Sequence, residues 1–582
     1  MRKFKGGKRN FILDHPDFYL PLTNGLVAER GVAAPTFTRA TVQTVEDFEG
    51  LIKTTLSGEQ ASKGARRVEN LIARWPDYGN SDVIAEAAIS LGDSATYTAG
   101  AEYGVSDLSG GSEARVFNAS EHLYAVFPFY LGQVIIYSFE IKKHSDNGTF
   151  PVRFRTGGGG PGTEALITLT DDWQRVSLQG TIDGASVYFY IGDKRVGGST
   201  ADTARFRRFQ IEDVTGQANQ NPSEYVSVSV ESSPWHGCAV DGVKYLDYEN
   251  GNTVTSNVVT ELQGSPIPQA TLKGVMLEGA GENLLLNSRS IGTSWESYGN
   301  TSFTQSSGIA PDGTNTATLM TKLVDGYAFV IYPDDYGEFS YSIYAKAGTA
   351  TQVILQCQMN SSPYSVYFND TFDLTSEWQQ ISISGTKTND SKSFRYYLEL
   401  VGNVNETIYV WGGQMEKSLY PSSLINTVAS AVVRNADILS YPSSGIIDDT
   451  VGAMSAEFTT EWTDETLSAI GKLLTDDTES PLLINTDRTL GVVDGTNTHT
   501  GDAITGTTTL QSIASNWGAS EMNTFLNGVA GTDSTFDDDF DLGATLGVGS
   551  NSDGTLSLFG TLKNLKIWKR KLPNNLMVGY TG

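Results

Sequence analysis

Along most of this chain, short runs of alternating apolar and polar residues are punctuated by Gly, Asp, Asn or Pro every eight to twelve residues. The clearest runs are Leu123 to Phe127, Gln133 to Ile141, Val152 to Arg155, Gln174 to Leu178 and Ser186 to Ile191. A period of two with frequent turn residues predicts antiparallel strands in a sandwich or jelly roll. Residues 43–54 alone suggest a helix, around Gln43 to Thr54.

The pattern occurs twice. Leu169 to Thr181 aligns with Leu374 to Thr386, bringing Trp173 onto Trp378 at an offset of 205 residues, with seven of thirteen positions identical. Tyr137-Ser138 and Tyr341-Ser342 match, as do Gln210-Ile211-Glu212 and Gln414-Met415-Glu416. So do Glu69-Asn70-Leu71 and Glu282-Asn283-Leu284, and Trp75 with Tyr78 against Trp295 with Tyr298. Collinear matches of this kind predict two copies of one domain. The division that follows is an N-terminal segment and adaptor (1–66), repeat one (67–235), a β-rich connector (236–277), repeat two (278–440) and a distinct C-terminal domain (441–582). The C-terminal domain contains Asn527-Gly528 after an apolar run, a hairpin signal, and ends in the alternating stretch Gly560 to Leu572.

Composition sharpens this. Of 582 residues, 61 are Gly and 10% are aromatic, against 18% charged, as suits an all-β chain. The net charge of −27 excludes nonspecific nucleic-acid binding, which needs clustered Lys and Arg. Two cysteines, Cys238 and Cys357, at non-equivalent places in the repeats, exclude a disulfide framework and read as small core residues. The first thirty residues hold no continuous apolar h-region, and no run of eighteen apolar residues occurs, so neither a signal peptide nor a membrane insertion is expected.

Glu282-Asn283-Leu284-Leu285, Tyr341-Ser342-Ile343-Tyr344-Ala345-Lys346, Glu377-Trp378-Gln379, Tyr409-Val410-Trp411-Gly412-Gly413-Gln414-Met415-Glu416 and Tyr420-Pro421-Ser422-Ser423 resemble the carbohydrate-binding-module-like sandwiches of bacteriophage tail fibres and related virion proteins. The resemblance covers about 67–440, closely in the second copy; in the first, Gln210 lacks the preceding Trp. Residues 441–582 are similar in pattern to a concanavalin A/laminin G-like sandwich. The resemblance implies two tandem jelly-roll β-sandwiches, then a concanavalin A-like β-sandwich, after a short N-terminal anchoring segment. It also implies a virion-surface protein made in the host cytoplasm, assembled as a homo-oligomer, most simply a trimer. The expected function is adhesion to host surface polysaccharide; the alternatives are a purely structural virion component and a surface-glycan hydrolase.

The candidate chemistry is sparse. Trp75, Tyr78, Trp295 and Tyr298 could stack on sugar rings, or serve as packing anchors. Asp533, Asp537, Asp538, Asp539 and Asp541 offer hard oxygen ligands for a structural Ca2+, the one cofactor the sequence suggests, or form a solvated loop. Arg2, Lys3, Lys5, Lys8 and Arg9 form a basic arm that could dock on other virion proteins, or simply be solvated. Trp173, Trp378, Trp411 and Trp568 are expected in cores. Gly92-Asp93-Ser94 reads as a turn and Gly157 to Gly162 as a loop, since neither has the companion residues of an esterase block or a phosphate cradle. No catalytic residue is expected.

Overall fold

The computed structural model describes residues 15–67, short strands between 90 and 127, most of 132–222, the strands 235–236, 243–247 and 252–256, and 272–582, apart from scattered short gaps. The regular structure of the described residues is antiparallel strand, apart from the single helix Asn574–Thr581. The all-β expectation holds.

Both repeats fold alike. In the first, one five-stranded sheet orders Thr163–Thr168, Thr149–Arg155, Val187–Ile191, Leu123–Phe127 and Ser90–Leu91. In the second, Val366–Asp373, Gln352–Met359, Phe394–Val401, Tyr327–Tyr332 and Glu296–Tyr298 occupy the same places. The opposing sheets match too, and each central strand carries a register shift at the equivalent point, Ser138/Glu140 and Ser342/Tyr344. A bulge is a specific local irregularity, so its recurrence ties the copies together more firmly than strand count alone.

The recurring Asn has a structural task. Asn283 is fully buried, its Nδ2 donating to the carbonyls of Gly413 (3.2 Å) and Ile425 (2.8 Å). Its Oδ1 accepts from the amides of Leu285 (3.0 Å) and Met415 (3.1 Å). One carboxamide thereby closes the sandwich where its chain enters and leaves. The recurring Trp is not core. Trp173 and Trp378 are half-buried, with Lys142 and Lys346 over their rings at 5.0 and 4.9 Å. The strands they precede are edge strands of their sheets, which leaves one ring face to a lysine. Trp411 and Trp568 are buried as expected, and so is Cys357; Cys238 lies outside the described residues.

The C-terminal sandwich draws strands from four parts of the chain. Its nine-stranded sheet joins Gly452–Thr460, Gln511–Gly518 and Gly560–Trp568 with Phe18–Leu20, Ala61–Lys63 and Gly274–Leu277. Its seven-stranded sheet takes Thr36–Thr38 and Ile438–Pro442. Phe18, Leu20, Val275, Leu277, Leu439 and Tyr441 pack into one core with Met454 and Trp517. Hydrogen bonds therefore cross the consecutive five-part division. Ala61–Lys63 and Gly274–Leu277 are paired neighbours with Lys63 opposite Gly274, so the first jelly roll is an insertion between adjacent strands. Glu278 and Asp437, at the two ends of the second jelly roll, are bonded through the Asp437 amide and the Glu278 carbonyl (2.9 Å). Insertion is tolerated where the two ends already lie side by side.

The helix expected at 43–54 is a hairpin, Gln43–Glu46 paired with Ile52–Thr55. Asp47 Oδ1 accepts from the amides of Glu49 (2.9 Å) and Leu51 (3.0 Å), and Gly50 takes φ 80°. That turn chemistry and the burial of Gln43, Thr44 and Val45 override the local pattern.

Candidate functional site

The solvent side of one sheet of the second jelly roll carries the best-built surface among the described residues. Alternation sends Val353, Leu355, Cys357, Phe394, Tyr396 and Leu398 into the core. The residues between them, Gln356, Gln358, Arg395 and Tyr397, must then face outward. Register brings Gln356 opposite Tyr397, Gln358 opposite Arg395, Phe329 opposite Tyr397 and Tyr298 opposite Tyr327. Although they face away from the core, Arg395 and Tyr397 are each only 8% exposed. Tyr298, at 66%, and Tyr364, at 51%, stand well clear. A sunken floor with raised aromatic sides is a groove.

Aromatic rings line it in series. Tyr298 stacks on Tyr327 (centroids 5.5 Å, 25° between planes), and Tyr327 stacks on Tyr397 (4.4 Å, 25°). Arg395 lies over Tyr327 (5.1 Å), Phe329 (5.0 Å) and Tyr364 (5.1 Å), and its Nη2 donates to the Tyr327 hydroxyl at 2.7 Å. The carboxamides of Gln356 and Gln358 lie 2.6 Å apart beside it. Burial pushes the Tyr397 hydroxyl up to about 12, so it remains a neutral donor at physiological pH. Burial also raises the Glu399 carboxyl above its ordinary range, with Lys322 opposing and Asp325 adding to the rise. Flat ring faces flanked by neutral donors and acceptors suit the apolar face and hydroxyl edge of a sugar.

The sequence candidates separate here. Tyr298 lies on this groove. Trp295 does not: its ring packs inward against Phe303 (6.4 Å) and Tyr341 (6.5 Å), and its Nε1 is buried without a partner. Positions three apart fall on opposite sides of a strand, so one spacing could not put both rings on a ligand. Trp75 and Tyr78 lie outside the described residues, as do Arg2, Lys3, Lys5, Lys8, Arg9 and Gly92 to Ser94. In the first jelly roll, Arg153 sits over Tyr190 at 5.7 Å, with its Nε 3.1 Å from Glu164. Tyr327, Arg395 and Tyr397 were missed because two strands some seventy residues apart in sequence bring them together; only the alternation within Phe394 to Val401 hinted at an outward Arg and Tyr.

The acidic loop is held through its backbone. The amide of Asp537 donates to Asp494 (2.8 Å), that of Asp541 to Glu479 (2.8 Å), and Asp533 accepts from Asn523 Nδ2 (2.6 Å). Asp539 and Asp541, with Asp448, help burial raise the Asp449 carboxyl. Asp538 lies outside the described residues, and among those described no three His, Cys, Asp or Glu side chains are gathered as metal ligands. Nor is any described helix long and apolar enough to cross a membrane.

No family model and no curated protein matches the chain. Similar solved structures include the N-terminal CBM22 tandem domain of Paenibacillus barcinonensis Xyn10C, at 16% identity over 62% of this chain and 97% of that one, TM-score 0.20. Another is a CBM4 structure, at 21% identity over 21% of this chain and 85% of that one, TM-score 0.18. A third is the enzymatically active domain of tailspike protein 4 of bacteriophage CBA120, at 9% identity over 25% of this chain and 21% of that one, TM-score 0.20. At such TM-scores the likenesses carry no weight for function.

Proposed function

We propose that this protein is a glycan-binding adhesin of a bacteriophage virion surface, a tail fibre, spike or head fibre, and that the groove of the second jelly roll holds the glycan. The stacked series Tyr298, Tyr327 and Tyr397 carries the reading. Exposing a tyrosine ring beside two more, rather than burying all three, forgoes burial energy that a sugar face would recover. The first jelly roll, with Arg153 and Tyr190 on its corresponding sheet, gives a second surface of the same kind. Assembly as a trimer would multiply shallow sites through effective concentration.

In this reading the C-terminal sandwich is the base. Phe18–Leu20 is hydrogen-bonded to Gly560–Trp568, and the inserted jelly rolls are the parts held outward. Contacts to other virion proteins would then fall on the arm and the sandwich.

The test is binding of the full-length protein to host cells and to an array of bacterial glycans, with and without EDTA, beside a Tyr298→Ala/Tyr327→Ala variant. Binding that is lost in the variant supports the groove. Binding that the variant retains in full removes it. No binding by the unaltered protein, with the chain present on particles, favours a structural virion component. Loss of binding with EDTA would make the aspartate loop a metal site.

A further inference from the structure

Resting on the reading of the groove as a glycan site, we infer that it selects glycans bearing isolated carboxylates, an acidic sugar flanked by neutral ones, with Arg395 as the residue that makes the selection.

Arg395 is a nearly buried guanidinium, and among the described residues no carboxylate pairs with it. The other buried arginines that form ion pairs among the described residues, Arg39 and Arg434, meet Asp437 or Glu278. A charge taken out of water is costly unless it is paired. Here three ring faces, the Tyr327 hydroxyl and the Gln358 carboxamide oxygen, which accepts from Nη2 and Nε, offset part of that cost without neutralising the charge. Ring stacking fixes the plane of the fork. Gln358 takes the Nε side of that plane, so a ligand carboxylate would meet its Nη1 end. In a chain of net charge −27, this is a local exception and not part of a basic field.

The other end of the same strand has the opposite preference. Glu399 is on the same side as Arg395, four residues along, roughly 13 Å away at the ordinary strand rise. Burial raises the Glu399 carboxyl, Lys322 opposes the rise and Asp325, itself paired with Lys322 at 3.0 Å, adds to it. A second carboxylate there would meet an acid, whereas a sugar hydroxyl would find an acceptor, or a donor when Glu399 is protonated. One end accepts an anion, and the other, where two acids face one lysine, disfavours it. A homopolymer of uronic acids satisfies the first condition and violates the second.

The experiment uses the full-length chain on an array of bacterial surface polysaccharides. Each is printed as isolated and after reduction of its carboxyls to alcohols, with a homopolyuronate included. Wild-type protein is expected to bind sparsely carboxylated glycans about 10-fold more tightly than their reduced forms, and more tightly than the homopolyuronate. Arg395→Gln should abolish that difference, and Arg395→Lys, which keeps the charge and loses the fork, should restore only part of it. Comparison of native and reduced glycans with wild-type protein stands even if an Arg395 variant folds poorly. Equal binding of both forms, lost in Tyr397→Ala, would overturn the selection and leave the groove intact. Binding indifferent to Tyr397→Ala, or no binding to any glycan, would remove the groove reading and this inference with it.

Discussion

Arg39 and Asp437, 398 residues apart in the chain, form an ion pair at 2.6 Å in which both side chains are wholly buried. Around it, Arg39 also donates to Gln43 Oε1 (2.8 Å), Thr55 Oγ1 (2.6 Å) and the Glu59 carbonyl (2.6 Å). Gln43 reaches Glu278 at 2.7 Å, and Ser423 reaches the same carboxylate at 2.6 Å. This cluster joins the N-terminal hairpin to both ends of the second jelly roll.

Arg39→Met is therefore expected to destabilise the protein by about 3–5 kcal/mol, because Asp437 is left buried with less compensation. Chemical denaturation of full-length wild type and variant measures it. A change below about 1 kcal/mol would mean that Arg434, 3.8 Å from Asp437, carries the compensation instead.

Glu416 gives the same region a pH dependence. Burial raises its carboxyl from the ordinary 4.5 to about 7, against hydrogen bonds from the Ser422 amide and hydroxyl and the Arg434 charge, which pull it down. A carboxyl with a raised folded-state value favours the folded state while protonated. Its contribution is thus full below about pH 4.5 and lost as pH rises through about 7. Glu416→Gln should flatten the fall in Tm between those values and raise Tm at pH 8. An unchanged pH profile would show that the pair with Gln414, at 2.6 Å, keeps the group ionised throughout.

Trp295 and Tyr298 should part company on mutation. Trp295→Ala removes a ring packed on Phe303 and Tyr341, and a loss of about 2–4 kcal/mol in stability is expected. Tyr298→Ala removes an exposed ring, so stability should hold within about 0.5 kcal/mol while glycan binding weakens. Thermal denaturation and array binding of the two variants, read together, decide it; a stable Trp295→Ala protein would return that ring to the list of ligand candidates.

Gly216 and Gly313 bring the two jelly rolls together. A Cβ on Gly216 would fall 2.7 Å from Gly313 Cα, and one on Gly313 would fall 2.6 Å from Gly216 Cα. Both residues also take positive φ, 73° and 80°. Gly313→Ala should cost about 1–3 kcal/mol in strain and contact, and loosen the modules enough for limited proteolysis to cut between them sooner. An unchanged digestion pattern would argue that the contact is incidental.

Much of this molecule was legible in the order of its residues. Alternation set the strands, and the recurrence of Trp173 at Trp378 set the repeat, because a duplicated sandwich keeps its turn and bulge positions. Asn527-Gly528 marked its hairpin because both residues must adopt positive φ, 47° and 82°, which this dipeptide tolerates. Tertiary structure alone decided the rest. Phe18–Leu20 spans only three residues, and nothing local says that they pair with Ile567, Lys566 and Leu565. Trp173 and Trp378 looked like core from alternation, yet their strands end at sheet edges, where a lysine covers the ring instead of a second sheet. The groove was hidden for a related reason. Period two assigns each residue a side, but only pairing between strands distant in sequence determines that Tyr298, Tyr327, Arg395 and Tyr397 line one groove.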